Sequence, residues 1–146
     1  MAFGTATVTT NRFKQMCADR LSSSSGGASS SGAPNMASNP KWAAMGSGAT
    51  SASRTAASGD TGLSLELYTR VAGAISLQGS SSGGPVSDTI KNIATITATS
   101  SGAIDEFTLN DTSSSGGSQA DVSATFAVIN LNTNDSIQFT TLVTFT

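Results

Sequence analysis

The sequence predicts an all-β protein, built as an antiparallel β-sandwich or jelly-roll-like domain with one short N-terminal helix and a flexible arm. Three observations support this fold class. Apolar residues alternate with serine and threonine along several segments of the second half of the chain, as in half-buried strands. Loops rich in serine and glycine separate those segments, and no repeated strand-helix-strand pattern indicates a parallel sheet. Charged residues make up only 11% of the 146 residues, against about 25% in a typical domain.

Residues 1–40 are expected to form an N-terminal part distinct from the main domain. Residues 5–10 are rich in threonine and favour a strand. A short helix is predicted next, capped by Asn11 or Thr10 and ending at Leu21. The apolar stripe of that helix comprises Phe13, Met16, Cys17 and Leu21. Residues 22–40 are dominated by serine, glycine and alanine, a composition typical of a flexible arm.

The β-sandwich domain is predicted to span residues 41–146. Its expected strands are 41–46, 63–67, 71–77 with a kink at Gly73, 90–98, 104–109, 122–128 and 137–145. In the fourth of these, Ala94 and Ile96 are expected to face the core and Thr95 and Thr97 the other side. The last two strands flank a turn-prone Asn/Asp connection, which predicts an antiparallel hairpin.

The sequence lacks the groups on which most catalysis depends, and we predict that the protein is not an enzyme. It contains no histidine, the commonest general base and a common metal ligand. Serine is abundant, but no G-x-S-x-G turn and no motif around a lysine provides an activating base. The adjacent acids Asp105 and Glu106 are expected to point to opposite faces of a strand, so they should not act together on one bond.

No cofactor site and no metal site is predicted. Cys17 is the single cysteine, which excludes an intrachain disulfide, and its apolar neighbours favour a buried thiol. The acids leave open one alternative, a calcium site built from Asp105, Asp111 or Asp121 with loop carbonyls, although no D-x-D-x-D-G spacing supports it. Trp42 and Tyr68 raise the alternative of a sugar-binding aromatic platform, but core packing is the favoured interpretation.

The charge and hydropathy patterns disfavour nucleic-acid and membrane partners. The net charge is −2, the isoelectric point is about 4.7, and the seven basic residues are scattered along the chain instead of clustered. No apolar run approaches the roughly 20 residues of a membrane span. The N-terminus lacks a basic region followed by an apolar stretch, so synthesis in the cytoplasm is expected. Sparse surface charge is typical of a subunit whose surface is covered in an assembly.

One ordered set of motifs in the second part of the chain goes beyond composition. It comprises 42–48 (WAAMGSG), 63–70 (LSLELYTR), 104–109 (IDEFTL) and 131–139 (LNTNDSIQF). This order resembles a family of small structural proteins of tailed bacteriophages, described as tail-fibre-like or decoration-like. Their pattern is a strand into a G-x-G turn, L-x-x-E-x-x-R, I-x-E-x-G-L, and a final hairpin with a GDSL-like turn. This chain departs from the pattern, because Thr108 stands where a glycine precedes Leu109 and Asn134 where a glycine precedes Asp135.

The resemblance implies a structural protein of the virion, most specifically a capsid cement or decoration subunit. Such a subunit would form a homo-oligomer, with a trimer as one option, over junctions between copies of the major capsid protein. The alternatives are a tail, tail-tip or fibre-associated component and, from a different class, a carbohydrate-binding adhesion module. The candidate interface residues are Phe13, Met16, Leu21, Trp42, Glu66, Arg70 and Glu106. For the three charged candidates, contacts within or between subunits and a solvated surface are both compatible with the pattern.

Overall fold

The computed structural model describes residues 6–11, 41–49, 55–78, 89–114 and 120–144. They form nine strands: β1 (Ala6–Thr9), β2 (Trp42–Ser47), β3 (Leu65–Glu66), β4 (Val71–Ala72), β5 (Ala74–Gln78), β6 (Thr89–Thr97), β7 (Gly102–Asn110), β8 (Ala120–Leu131) and β9 (Ser136–Thr144). Every strand pair is antiparallel, which confirms the predicted all-β class. Beyond Asn11, the predicted helix and the Ser/Gly arm lie outside the described residues.

The strands form two sheets. The large sheet has the order β1-β8-β7-β2-β3. On the edge of β2 that faces away from β7, β3 pairs with the end of β2 and β4 pairs with its beginning. The small sheet has the order β5-β6-β9. The chain leaves the large sheet after β4 and enters the small one at β5, with Gly73 between them, where the glycine kink was predicted. This strand order does not by itself establish the jelly-roll variant.

The hydrophobic core lies between the two sheets, as in a sandwich. Its buried members are Ala43, Met45, Tyr68, Ala94, Ile96, Ala98, Ile104, Phe107, Leu109, Val122, Ala124 and Leu131. Phe107 of β7 stacks on Phe139 of β9 with ring centroids 4.3 Å apart, so one aromatic pair joins the sheets directly. In β6 the predicted faces are confirmed, because Ala94 and Ile96 are buried while Thr95 and Thr97 are exposed.

The predicted hairpin of the last two strands is wrong. β8 pairs with β1 and β7, whereas β9 pairs with β6 in the other sheet. Their connection crosses from one sheet to the other and is tied to the end of β6, where Ala98 exchanges backbone hydrogen bonds with Asn134 and Asp135. An alternating pattern identifies the buried face of a strand but not its neighbour, and a short Asn/Asp turn suits either arrangement.

Three further expectations differ from the structure. The strand predicted over 63–67 is reduced to Leu65–Glu66, and Leu65 is 57% exposed. Val128 was expected on the core side but is 48% exposed, because a register shift opposite Asp105 breaks the alternation of β8. β1 lies in the large sheet beside β8, so the boundary predicted at residue 40 does not separate residues 6–9 from the sandwich.

Candidate interaction surfaces

Glu106, a candidate interface residue, is fully buried within its own subunit. It lies on the face of β7 that points away from the hydrophobic core. Its Oε1 accepts hydrogen bonds from the backbone N–H groups of Ser64, at 2.7 Å, and Leu65, at 3.3 Å, and its Oε2 accepts one from Ser64 Oγ at 3.3 Å. The carboxylate therefore attaches the segment before β3 to the large sheet. With 0% of its surface exposed, Glu106 has no atoms left for a neighbouring subunit.

Glu66 and Arg70, two further candidates, bind each other. Arg70 Nε lies 3.0 Å from Glu66 Oε1, and Arg70 Nη2 lies 3.0 Å from Glu66 Oε2, which is a two-pronged contact. Arg70 Nη1 also donates to the carbonyl of Thr112 at 3.2 Å. The Arg70 side chain is only 4% exposed. This ion pair makes contacts within the subunit and connects the β3–β4 segment to the end of β7.

A layer of buried polar side chains covers the outer face of the large sheet. Its members include Thr10, Glu106, Thr108, Asn110, Asp121, Ser123 and Thr125. Asp60 Oδ2 accepts hydrogen bonds from Ser123 Oγ at 2.7 Å and from the Ala57 N–H at 3.0 Å, so the segment 55–64 packs on this layer. Thr10 Oγ1 donates to the carbonyl of Ala120 at 2.7 Å. These polar groups hold chain segments against the outer face of the sheet.

This buried polar layer was not predicted from the sequence. Serine and threonine that alternate with apolar residues look like the solvent face of a strand. Side-chain size was the sequence feature that could have indicated it. The side chains on this face are small at Ala44, Gly46, Thr108 and Ser123, so another segment can approach the sheet closely. Nothing in the spacing of these residues identifies segment 55–64 as the one that does so.

The adjacent acids Asp105 and Glu106 accept hydrogen bonds from different segments of the chain. Asp105 Oδ1 accepts the backbone N–H of Ala49 at 3.1 Å, whereas Glu106 binds the segment before β3. Within the described ranges, no group of three or more His, Cys, Asp or Glu side chains is placed to hold a metal ion. The same residues include no helix of the length and apolar character needed to cross a bilayer.

The aromatic candidates do not share a surface. Tyr68 is 5% exposed and its hydroxyl donates to the carbonyl of Ser100 at 3.0 Å, so it is a core residue. Trp42 is half-buried, and Lys41 Nζ lies 5.5 Å from the centroid of a Trp42 ring. The two side chains therefore do not form a two-ring sugar platform. Phe13, Met16 and Leu21 lie outside the described residues.

The described surface is almost without charge. Among charged residues with described burial, Arg70, Asp105, Glu106, Asp111 and Asp121 are buried, and Asp60, Glu66 and Lys91 are half-buried. In these ranges only Lys41 and Asp135 are exposed charged residues. The outer face of the small sheet mainly presents exposed neutral polar groups: Thr95, Thr97, Ser136, Gln138, Thr140 and Thr144. The half-buried Lys91 and the exposed Leu142 lie on the same face. Comparison of the chain with family models, with curated proteins and with solved structures finds no match.

Proposed function

We propose that this protein is a structural subunit that binds copies of itself and neighbouring proteins in a tailed-bacteriophage particle, most specifically as a cement or decoration subunit of the capsid. The observation that carries the proposal is the scarcity of exposed charge, which is limited to Lys41 and Asp135 in the described ranges. Charged residues are depleted in the buried cores of protein interfaces. A protein that stays free in solution usually keeps interspersed charges on its surface.

The arrangement of the buried polar groups also supports a structural function. The ion pair of Glu66 and Arg70 and the hydrogen bonds of Glu106 are all made within the subunit. They fix segments on the outer face of the large sheet, while the core fixes the inner face. The small sheet is left with a hydroxyl-bearing outer face on which Lys91 is the one charged residue among those described, so a partner can contact most of that face without desolvating a charge. Many copies, each with a modest contact on one shell, would bind with avidity.

The phage part of the proposal depends on the order of the motifs, and two turn positions support it. Gly48, in the G-x-G turn, has φ of 114°, a conformation that favours glycine. Asn134, which stands where the family pattern has glycine, has φ of 75° and is the only described non-glycine residue with positive φ. Asparagine is among the few residues that adopt this conformation readily. Position 134 therefore keeps the backbone conformation that favours glycine, although the connection crosses between the two sheets and is not a hairpin.

Immunoelectron microscopy tests the proposal. An antibody raised against the purified protein is applied to phage particles released from the bacterium that carries this coding sequence, with antibody preadsorbed on the protein as control. A cement subunit is expected to give label over the whole shell and, by gel densitometry, many copies per particle. Label confined to the tail would overturn the capsid assignment and favour the tail component. Particles without label would overturn the virion function.

A further inference from the structure

β9 has a long free edge. It is the end strand of the small sheet, and within the described residues it pairs only with β6, over nine residues from Ser136 to Thr144. A free edge presents unpaired backbone N–H and C=O groups that can pair with another strand. The other sheet ends are shorter, with four residues in β1, two in β3 and five in β5.

The sequence and pairing of β9 itself include none of the strand features that commonly protect an edge. Proteins block edge pairing with lysine, proline, bulges or very short strands. The sequence of β9, SIQFTTLVT, contains no charge, no proline and no glycine. Its register with β6 continues through nine pairs without a shift, whereas the β7–β8 pairing is interrupted by shifts. Leu142, on the face away from the core, is 56% exposed.

We propose that β9 pairs antiparallel with β9 of a second copy, so that the two small sheets join into one six-stranded sheet across a two-fold axis. The inference rests on the self-association in the proposed function and is independent of the phage particle. We assign the β9 edge to a second copy of the chain because the strand, which has no charged residue, can pair with itself in the antiparallel direction. An antiparallel pairing centred on Thr140 uses all nine residues and brings no like charges together. In that register Ser136 faces Thr144, Ile137 faces Val143, and Gln138 faces Leu142.

The pairs formed in this register repeat chemistry that the small sheet already contains. Thr97 and Ser136 share a hydroxyl–hydroxyl hydrogen bond of 2.8 Å at one end of β6–β9, and Thr89 and Thr144 share one of 2.9 Å at the other. Placing Ser136 beside the partner's Thr144 extends both rows to four hydroxyl groups. Cross-strand hydroxyl pairs and aliphatic pairs each stabilise a sheet. The partner's Gln138 would also cover part of the exposed Leu142.

Charge substitution at the two-fold axis tests the pairing. Thr140 is exposed and would face its own copy, so Thr140→Lys places two ammonium groups opposite each other. We expect the dissociation constant of the dimer, measured by analytical ultracentrifugation, to rise about tenfold or more for Thr140→Lys and for Thr140→Glu. An equimolar mixture of the two variants should regain the dimer, because the axis then carries opposite charges. Thr95→Lys is the control, since Thr95 is exposed on the same face but lies on β6, one strand away from the outer edge of β9.

A cysteine cross-link tests the register. In a Cys17→Ser background, Thr140→Cys should form a disulfide-linked dimer under mild oxidation, because directly opposite Cα atoms in antiparallel strands lie roughly 5 Å apart. Gln138→Cys in the same background should not, because the two positions would be separated by about 14 Å along the strands. Cross-linking at 138 and not at 140 would overturn the register.

The outcomes separate this inference from the proposed function. A wild-type dimer that Thr140→Lys leaves intact, with Thr140→Cys failing to cross-link, overturns the β9 pairing while the particle-labelling result stands by itself. A wild-type protein that stays monomeric up to about 1 mM also overturns the pairing. The free energy of association would then be weaker than roughly 4 kcal/mol. Circular dichroism checks that each variant keeps its β-sheet, and the mixing experiment identifies loss of pairing even if one variant is less stable.

Discussion

At the residue scale, a few buried polar side chains determine how the segments outside the core are held. Glu106 is the central one, since it accepts two backbone N–H groups and one hydroxyl from the segment before β3. A buried carboxylate with several donors both satisfies those donors and fixes their position. The apolar residues around it do not define the path of that segment, because Leu65 itself is mostly exposed.

Replacing Glu106 should therefore destabilise the fold. We expect Glu106→Ala to lower the free energy of unfolding by about 2–3 kcal/mol, because it leaves the Ser64 and Leu65 donors without their acceptor and opens a cavity. Glu106→Gln keeps one acceptor oxygen and nearly the same volume, so its loss should be clearly smaller. Urea unfolding followed by circular dichroism measures both. Equal losses for the two variants would show that the hydrogen bonds are not the cause.

The ion pair of Glu66 and Arg70 makes a second prediction at this scale. Arg70→Ala should lower the free energy of unfolding by about 3 kcal/mol, because the Glu66 carboxylate, 16% exposed in its side chain, would be left without its cation. The double variant Glu66→Gln, Arg70→Met leaves no unpaired charge and should lose less than Arg70→Ala alone. Urea unfolding of the two variants decides between them. A larger loss in the double variant would contradict this explanation.

At the scale of the elements, the sequence predicts faces better than it predicts neighbours. The alternation in β6 gave the correct core side, and the kink at Gly73 was located correctly. The partner of β9 was predicted wrongly, because a period of two residues contains no information on which strand lies alongside. Among the site candidates, Glu66 and Arg70 were recognised as charges in a motif, but their spacing does not distinguish a buried pair from a solvated one. The polar layer was missed because its residues are of solvent-facing type.

The close approach of β3 to β2 gives a prediction for the glycines. A Cβ at Gly46 would collide with the carbonyl oxygen of Leu65, which is a backbone atom and cannot rotate away. We expect Gly46→Ala to lower the free energy of unfolding by about 2 kcal/mol or more. Gly59→Ala is the matched control, because a Cβ there has no atom within 4 Å, and it should stay within about 0.5 kcal/mol of wild type. Thermal or urea unfolding of both proteins is the measurement. A Gly46→Ala protein as stable as the control would show that β3 can shift at little cost.

At the scale of the whole molecule, the distribution of charge separates the interior from the surface. Most charged residues with described burial lie under the outer segments of the large sheet, while the small sheet presents hydroxyl groups with Lys91 among them. Such a molecule is expected to associate through backbone pairing and close packing, not through long-range attraction. The burial of five charged residues is unusual, because charged residues are almost always at the surface of a protein.

Self-association should accordingly be nearly independent of salt. Ionic strength screens interactions between exposed charges over about 10 Å at 0.1 M, and β9 has no charged residue. We expect the dissociation constant of the dimer to change less than about threefold between roughly 0.05 and 0.5 M NaCl. Analytical ultracentrifugation at several salt concentrations is the measurement. A tenfold weakening would indicate that charged contacts hold the dimer.

The position of β1 affects the order in which the large sheet can be completed during synthesis. β1 is the first described strand, yet its only partner in the described structure is β8, and the Thr10 hydroxyl that follows it bonds the carbonyl of Ala120, 110 residues later. While the ribosome is still producing the middle of the chain, residues 6–9 have nothing to pair with. Contacts of such long sequence separation slow folding. Residues 6–9 therefore wait until β8 has emerged from the ribosome, and closure of this sheet edge is expected to be a late event in folding.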